Sequence, residues 1–129
     1  MFRKLTPNLV VRDINKSLEF YTRVLGFAPG MHVPEVPPYV FASVTAGAVE
    51  IFLNDRAEVA KDMPELAKRE PSLCLYIEVD DVEGLHTRLK DADAAAVLKP
   101  PHTQFYGMRE FVAKDPDGHL LMFAQRVQE

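Results

Sequence analysis

Few side chains in this sequence are equipped to make or break bonds. It has one cysteine, Cys74, and four histidines, His32, His86, His102 and His119. Cys74 lies between Leu73 and Leu75, where a thiol reads as a small buried hydrophobe with a raised pKa, and no histidine is placed by sequence to act as its base. No Ser-His-Asp order, phosphate-cradling glycine loop or pair of catalytic carboxylates can be traced. What the sequence does offer is aromatic and charged residues at alternate positions of apolar runs. Tyr39 and Phe41, Glu50 and Phe52, and Arg109 and Phe111 each share one side of an extended segment, because successive strand residues point to opposite faces. Phe105 and Tyr106 precede the last of these pairs. Flat aromatic walls holding one carboxylate and one guanidinium suit a planar or cationic small molecule. A purely structural reading stands beside it: aromatics fill cores, and a carboxylate between Val49 and Ile51 needs a partner, for which Arg109 is the candidate.

Strands must hold such a set, and the sequence places them. Residues 5–11 are an apolar, β-branched run that reads as a strand. Asp13 follows at a helix N-cap position, Ile14, Leu18, Tyr21 and Leu25 recur at helical spacing, and Gly26 closes the helix. Proline and glycine then break the chain into short extended runs, with strands expected over 39–45 and 48–53 around an Ala46-Gly47 turn. Residues 55–71 are charged and proline-marked, a linker with one short helix predicted over 64–69.

The order of events then repeats. A strand over 73–79 leads to a second capping aspartate, Asp81, and a helix carrying Val82, Leu85 and Leu89. A short strand at Val97-Leu98 and a loop at Lys99-Pro100-Pro101 come next. Strands over 109–114 and 119–125 are joined by Asp115-Pro116-Asp117-Gly118, a strong turn signal. Each half therefore reads β-α-β-β-β. The expectation is an α+β fold, one domain of two modules (about 1–54 and 72–129) joined by the charged linker 55–71. One helix per module covers one sheet face, and the free faces can form a curved mixed sheet around a central cavity. His32 and His102, in loop-rich segments, are placed to rim it. His86 reads as a solvent-side or half-buried helix residue and His119 as an exposed one beside the turn.

Three stretches are diagnostic at the start: Thr6-Pro7-Asn8-Leu9-Val10-Val11-Arg12-Asp13, Leu18-Glu19-Phe20-Tyr21 and Val24-Leu25-Gly26-Phe27. With Arg109-Glu110-Phe111-Val112 and Asp115-Pro116-Asp117-Gly118-His119-Leu120 they resemble the vicinal oxygen chelate superfamily of glyoxalases, bleomycin resistance proteins and extradiol dioxygenases. The likeness covers essentially the whole chain and leans towards the bleomycin-resistance-like branch. It implies that superfamily enzymes would hold a divalent metal with His, Gln and Glu on cavity-facing strands. Those positions fall here on Thr6, Glu50, Cys74 and Met122, of which only Glu50 is an ordinary ligand. No metal site and no cofactor are therefore expected.

The resemblance and the residues together imply a metal-independent protein that binds a drug or metabolite, as antibiotic-resistance members of the branch do. The ligand-binding set is Tyr39, Phe41, Glu50, Phe52, Tyr106, Arg109 and Phe111. The alternative is a metal-dependent lyase, isomerase or dioxygenase of the glyoxalase kind, with Glu50 as ligand or general base. The resemblance also implies a homodimer, with the 34–38 segment as a hinge or interface arm. A formal charge of −4 over 129 residues offers nothing general to nucleic acid and leans towards a cationic ligand. No run approaches the roughly 20 apolar residues of a membrane span, and the opening residues do not read as a signal peptide, so the cytoplasm is the expected location.

Overall fold

A computed structural model describes residues 1–127, which fall into two compact units, Met1–Glu70 and the residues from Pro71 onward. Each unit is a four-stranded mixed sheet with helices, so the α+β architecture of two β-α-β-β-β modules is present.

In the first unit β1 (Asn8–Val11), β2 (Ala28–Val33), β3 (Phe41–Ala46) and β4 (Val49–Asp55) are ordered β1-β4-β3-β2. Asp13 caps α1 (Ile14–Glu19), its carboxylate accepting from the amides of Asn15 at 3.0 Å and Lys16 at 3.3 Å. The helix predicted to run on to Gly26 instead widens into a π turn over Phe20–Val24, with Leu25 N–H donating to Phe20 O at 3.0 Å. Phe20, Tyr21 and Leu25 are all buried, which the wider turn permits, and Gly26 ends it at a φ of 87°.

Residues beyond β4 are more ordered than a linker with one helix. Asp55 caps α2 (Arg56–Asp62) by accepting from Glu58 N–H at 3.1 Å, and Pro64 opens α3 (Pro64–Lys68) at a position that lacks an amide partner anyway. Both helices belong to the first unit.

The second unit repeats the plan with β5 (Cys74–Glu78), α4 (Val82–Ala92), β6 (Val97–Thr103), β7 (Met108–Lys114) and β8 (Leu120–Arg126), ordered β5-β8-β7-β6. Asp81 caps α4 through Gly84 N–H at 3.0 Å. The loop expected at Lys99-Pro100-Pro101 is part of β6. An edge strand has a ladder on one side only, so it tolerates prolines, here with two register shifts against β7. The Asp115 to Gly118 turn forms as expected: Gly118 N–H donates to Asp115 O at 3.0 Å and Gly118 has a φ of 87°.

Burial alternates along the strands and defines two faces in each sheet. In the first, Ile51 and Leu53 are fully buried whereas Glu50 and Phe52 are half-buried. In the second, α4 covers the face of Phe111, Leu121 and Phe123: the His86 ring lies 5.3 Å from that of Phe111, which stacks on Phe123 at 5.2 Å. The opposite, helix-free faces carry Glu50 and Phe52 in the first sheet and Glu110 in the second. No helix in the described residues is long and apolar enough to cross a membrane.

Candidate functional site

The helix-free face of the second sheet is organised around Glu110 on β7, which is 3% exposed. A buried carboxylate needs donors, and three side chains supply them. Tyr76 Oη donates to its Oε2 at 2.8 Å, Tyr106 Oη donates at 2.9 Å, and Gln104 Nε2 donates to Oε1 at 3.3 Å. Local structure explains each one. Gln104 and Tyr106 lie in the tight turn between β6 and β7, closed by Gly107 N–H to Gln104 O at 3.1 Å, and Gly107 adopts the positive φ of 85° that this turn needs. Tyr76 stands two strands away on β5, roughly 9–10 Å across the sheet. It reaches Glu110 because the small Ala124 of β8 is the residue paired with Glu110 between them. On the other side of Glu110, His102 is its pairing partner on β6.

The electrostatics follow from this arrangement. Burial pushes the Glu110 carboxyl up, but the hydrogen bonds from Tyr76, Tyr106 and Gln104, with the nearby His102, outweigh it and hold the carboxyl below its ordinary value. The phenols move the other way. Tyr76 is pushed up to about 12 by burial and by its bond to the carboxylate. Tyr106 is raised chiefly by its hydrogen bond to Glu110. Near neutral pH Glu110 is thus held as an anion and the tyrosines as its donors. Both rings remain half-exposed, Tyr76 at 49% and Tyr106 at 48%. His102 Nδ1, beside them, is buried without a hydrogen-bond partner among the described residues.

The corresponding face of the first sheet is built differently. Phe41 and Phe52 pack edge to face with centroids 5.1 Å apart. Asn54 Nδ2 donates to Asn8 Oδ1 and, at 3.3 Å, to Leu9 O. Glu50 forms an ion pair with Lys4.

The structure separates the residues singled out in the sequence. Phe41, Glu50 and Phe52 do share the helix-free face of the first sheet. Tyr39 lies in the loop before β3, its ring 4.6 Å from His32. Tyr106 joins the Glu110 cluster. Arg109 and Phe111 share a face, but it is the one under α4: Phe111 is fully buried there and Arg109 pairs with Glu83. The carboxylate of that strand which faces away from the helix is therefore Glu110, one residue out of phase with the expectation. The Glu50–Arg109 pair is replaced by Lys4–Glu50 and Glu83–Arg109, each inside one unit. Cys74, expected to be buried, is exposed at the start of β5. Its thiol is still raised, by partial burial more than Met122's backbone bond lowers it. Tyr76 and Gln104 were missed, and His102, expected in a loop at the cavity rim, lies on β6 beside Glu110. The signal available for them was the acidic residue in Arg109-Glu110-Phe111, flanked on both sides by residues of the helix-packed face.

The metal implied for superfamily enzymes does not fit the four positions inferred for it. Thr6 lies before β1, Glu50 is occupied by Lys4, and the Cys74 thiol is disfavoured as thiolate. Register also shifts the last position: Cys74 pairs with Leu120 and Tyr76 with Met122. Met122 thus corresponds to Phe52, which pairs with Asn8, and Leu120 corresponds to Glu50. Among the described residues, no three His, Cys, Asp or Glu side chains come together to hold an ion.

Fold and sequence agree on the class of protein. Residues 5–123 match the family model of the Glyoxalase/Bleomycin resistance protein/Dioxygenase superfamily, and the chain belongs to that superfamily. A phenazine antibiotic resistance protein, EhpR, of Enterobacter agglomerans is 28% identical over 91% of this chain and 89% of its own length. A bleomycin resistance protein of Geobacillus stearothermophilus is 27% identical over 95% of this chain and 96% of its own. Among solved structures, TioX from a Micromonospora species superposes with a TM-score of 0.79 at 19% identity, covering 98% of this chain and 100% of TioX, a likeness of fold.

Proposed function

We propose that this protein binds and sequesters a small planar aromatic molecule, preferentially one with a cationic group, and needs no metal to do so. The helix-free face of the second sheet is its main recognition surface. One observation carries the reading: a buried carboxylate whose charge is shared by two half-exposed tyrosines. A phenol that donates to a carboxylate has an electron-enriched ring, which strengthens stacking and attraction for a cation over its face. The names of the relatives, resistance proteins for phenazine and bleomycin, support a drug or similar metabolite as ligand. Phe41, Phe52 and Glu50 of the first sheet offer a further stacking surface and a carboxylate that a cationic ligand would have to win from Lys4.

Calorimetric titration of chelator-treated protein with phenazine and with the planar cation ethidium tests this. Saturable binding is expected, tighter for ethidium, unchanged by added divalent ions and weakened at least tenfold in Tyr106→Ala. Absence of binding by either probe would overturn it. The enzymatic alternative has one observation in its favour, the unpartnered His102 Nδ1 beside Gln104 and Glu110. Near-stoichiometric metal in protein purified without chelator would favour that alternative. We further propose a homodimer, supported by the wholly exposed edge strand β2 with Met31 and Val33 on it. A monomeric mass by light scattering at micromolar concentration would contradict it.

A further inference from the structure

We propose that the first unit carries an additional site, unrelated to the sheet faces, for a small carboxylate with an apolar body, held by Arg56 and Lys68. An open cleft of about 410 Å³ lies where α2 and α3 pack by the carboxyl ends of the parallel strands β1 and β4, within the size range of small-ligand clefts. Arg56 and Lys68 line it, beside Arg12, which makes an interaction of its own, against one carboxylate, Asp55. That excess stands out in a chain whose formal charge is −4. Asp55 is already committed to capping α2, and the nearby Glu58 is paired with Lys61.

Arg56 is the anchor. Its Nε donates to Ala67 O at 2.7 Å, which fixes the guanidinium plane, while its two terminal nitrogens have no partner among the described residues. The Lys68 ammonium likewise has none. An immobilised guanidinium with its outer fork free is preorganised for a carboxylate, which it takes bidentately. The remaining wall is apolar and small, with Ala60, Pro64 and Ala67 leaving the volume open. A bare phosphate would make no use of that wall, whereas a ring or short alkyl chain would. The segment that reads as a charged linker in sequence is thus the scaffold of a site. No residue of the second unit takes part, so the proposal stands apart from the function proposed above.

The test is an NMR titration of the intact chain with sodium benzoate, followed at the Arg56 Nε–H and the amides of residues 56–68. Benzylammonium and inorganic phosphate are the comparison ligands. Saturable shifts at millimolar benzoate or below are expected, with at least tenfold weaker binding in Arg56→Lys and at least threefold in Lys68→Gln. Should Arg56→Lys loosen α2 and α3, Lys68→Gln decides, since the Lys68 ammonium bonds nothing among the described residues. No saturable shift, equal binding of benzylammonium, phosphate binding as tight as benzoate, or undiminished binding in Lys68→Gln would each overturn the proposal.

Discussion

Asn8 and Tyr76 occupy the same place in the two units, each on the first strand and each five residues before a capping aspartate, Asp13 or Asp81. Following the strand pairings outward from them, Phe52 corresponds to Met122, Ser43 to Val112 and Phe41 to Glu110. The two halves therefore share a backbone plan and differ in what they place at one point of it. The first sheet has a phenylalanine there, packed against Phe52; the second has a buried anion with three donors around it. This divergence is tolerated because most of the large buried side chains lie on the helix-packed faces, leaving the opposite faces freer to vary.

That difference sets an order of expected effects. The largest belongs to the helix-packed face: Phe111→Ala should cost about 3–5 kcal/mol in urea unfolding, as large-to-small core changes do. Phe41→Ala, at a half-buried site, should cost less than half of that. A comparable loss at Phe41 would mean that the two faces of the first sheet are equally structural.

Next comes Glu110→Gln, which removes the charge that its donors are arranged to meet, with an expected loss of about 1.5–3 kcal/mol for hydrogen bonds to a buried charge. The converse change, Phe41→Glu, should destabilise as well, because the donor beside that position, Asn54, already bonds Asn8 and Leu9. A neutral Glu110→Gln would remove the cluster from the account of stability.

pH separates the same groups. The Glu110 carboxyl is lowered in the fold, so its contribution is present above its ordinary value near 4.5 and is lost as pH falls through the lower native value. The stability gap between wild type and Glu110→Gln should accordingly close in acid. Tyr76 is raised, so its contribution is intact below 10 and is lost as pH rises towards about 12. With no tryptophan in the chain, absorbance titration of the four tyrosines should show late-titrating phenols, Tyr76 and Tyr106 among them, whose transitions move towards lower pH in Glu110→Gln. The smallest effect is at the surface: Lys4→Met should change stability by roughly 0–1 kcal/mol, as exposed ion pairs do. Its clearer readout is tighter ethidium binding, as the Glu50 carboxylate is released.

The modular fold could be read in the sequence because its signals are local. Two capping aspartates, two helical stripes and the Asp115 to Gly118 turn each act within a few residues. The face of β7 turned away from the helix lies one residue out of phase with the expectation. Strand alternation gives two faces but does not say which one the helix covers, and Phe111 fits a core as well as a cleft. Only the packing of α4, through His86 on Phe111 and Glu83 on Arg109, settles that Glu110 looks the other way. Tyr76 lies 34 residues from Glu110, a separation that no local pattern records. The same holds for Lys4 and Glu50, brought together across 46 residues.

The most direct test of the central claim is chemical-shift mapping of phenazine or ethidium on chelator-treated, isotope-labelled protein. The account predicts saturable shifts that include Tyr76, Tyr106 and Glu110 and the β6–β7 turn, with no added metal. Shifts that appear only after a divalent ion is supplied, or that leave those residues untouched, would contradict it.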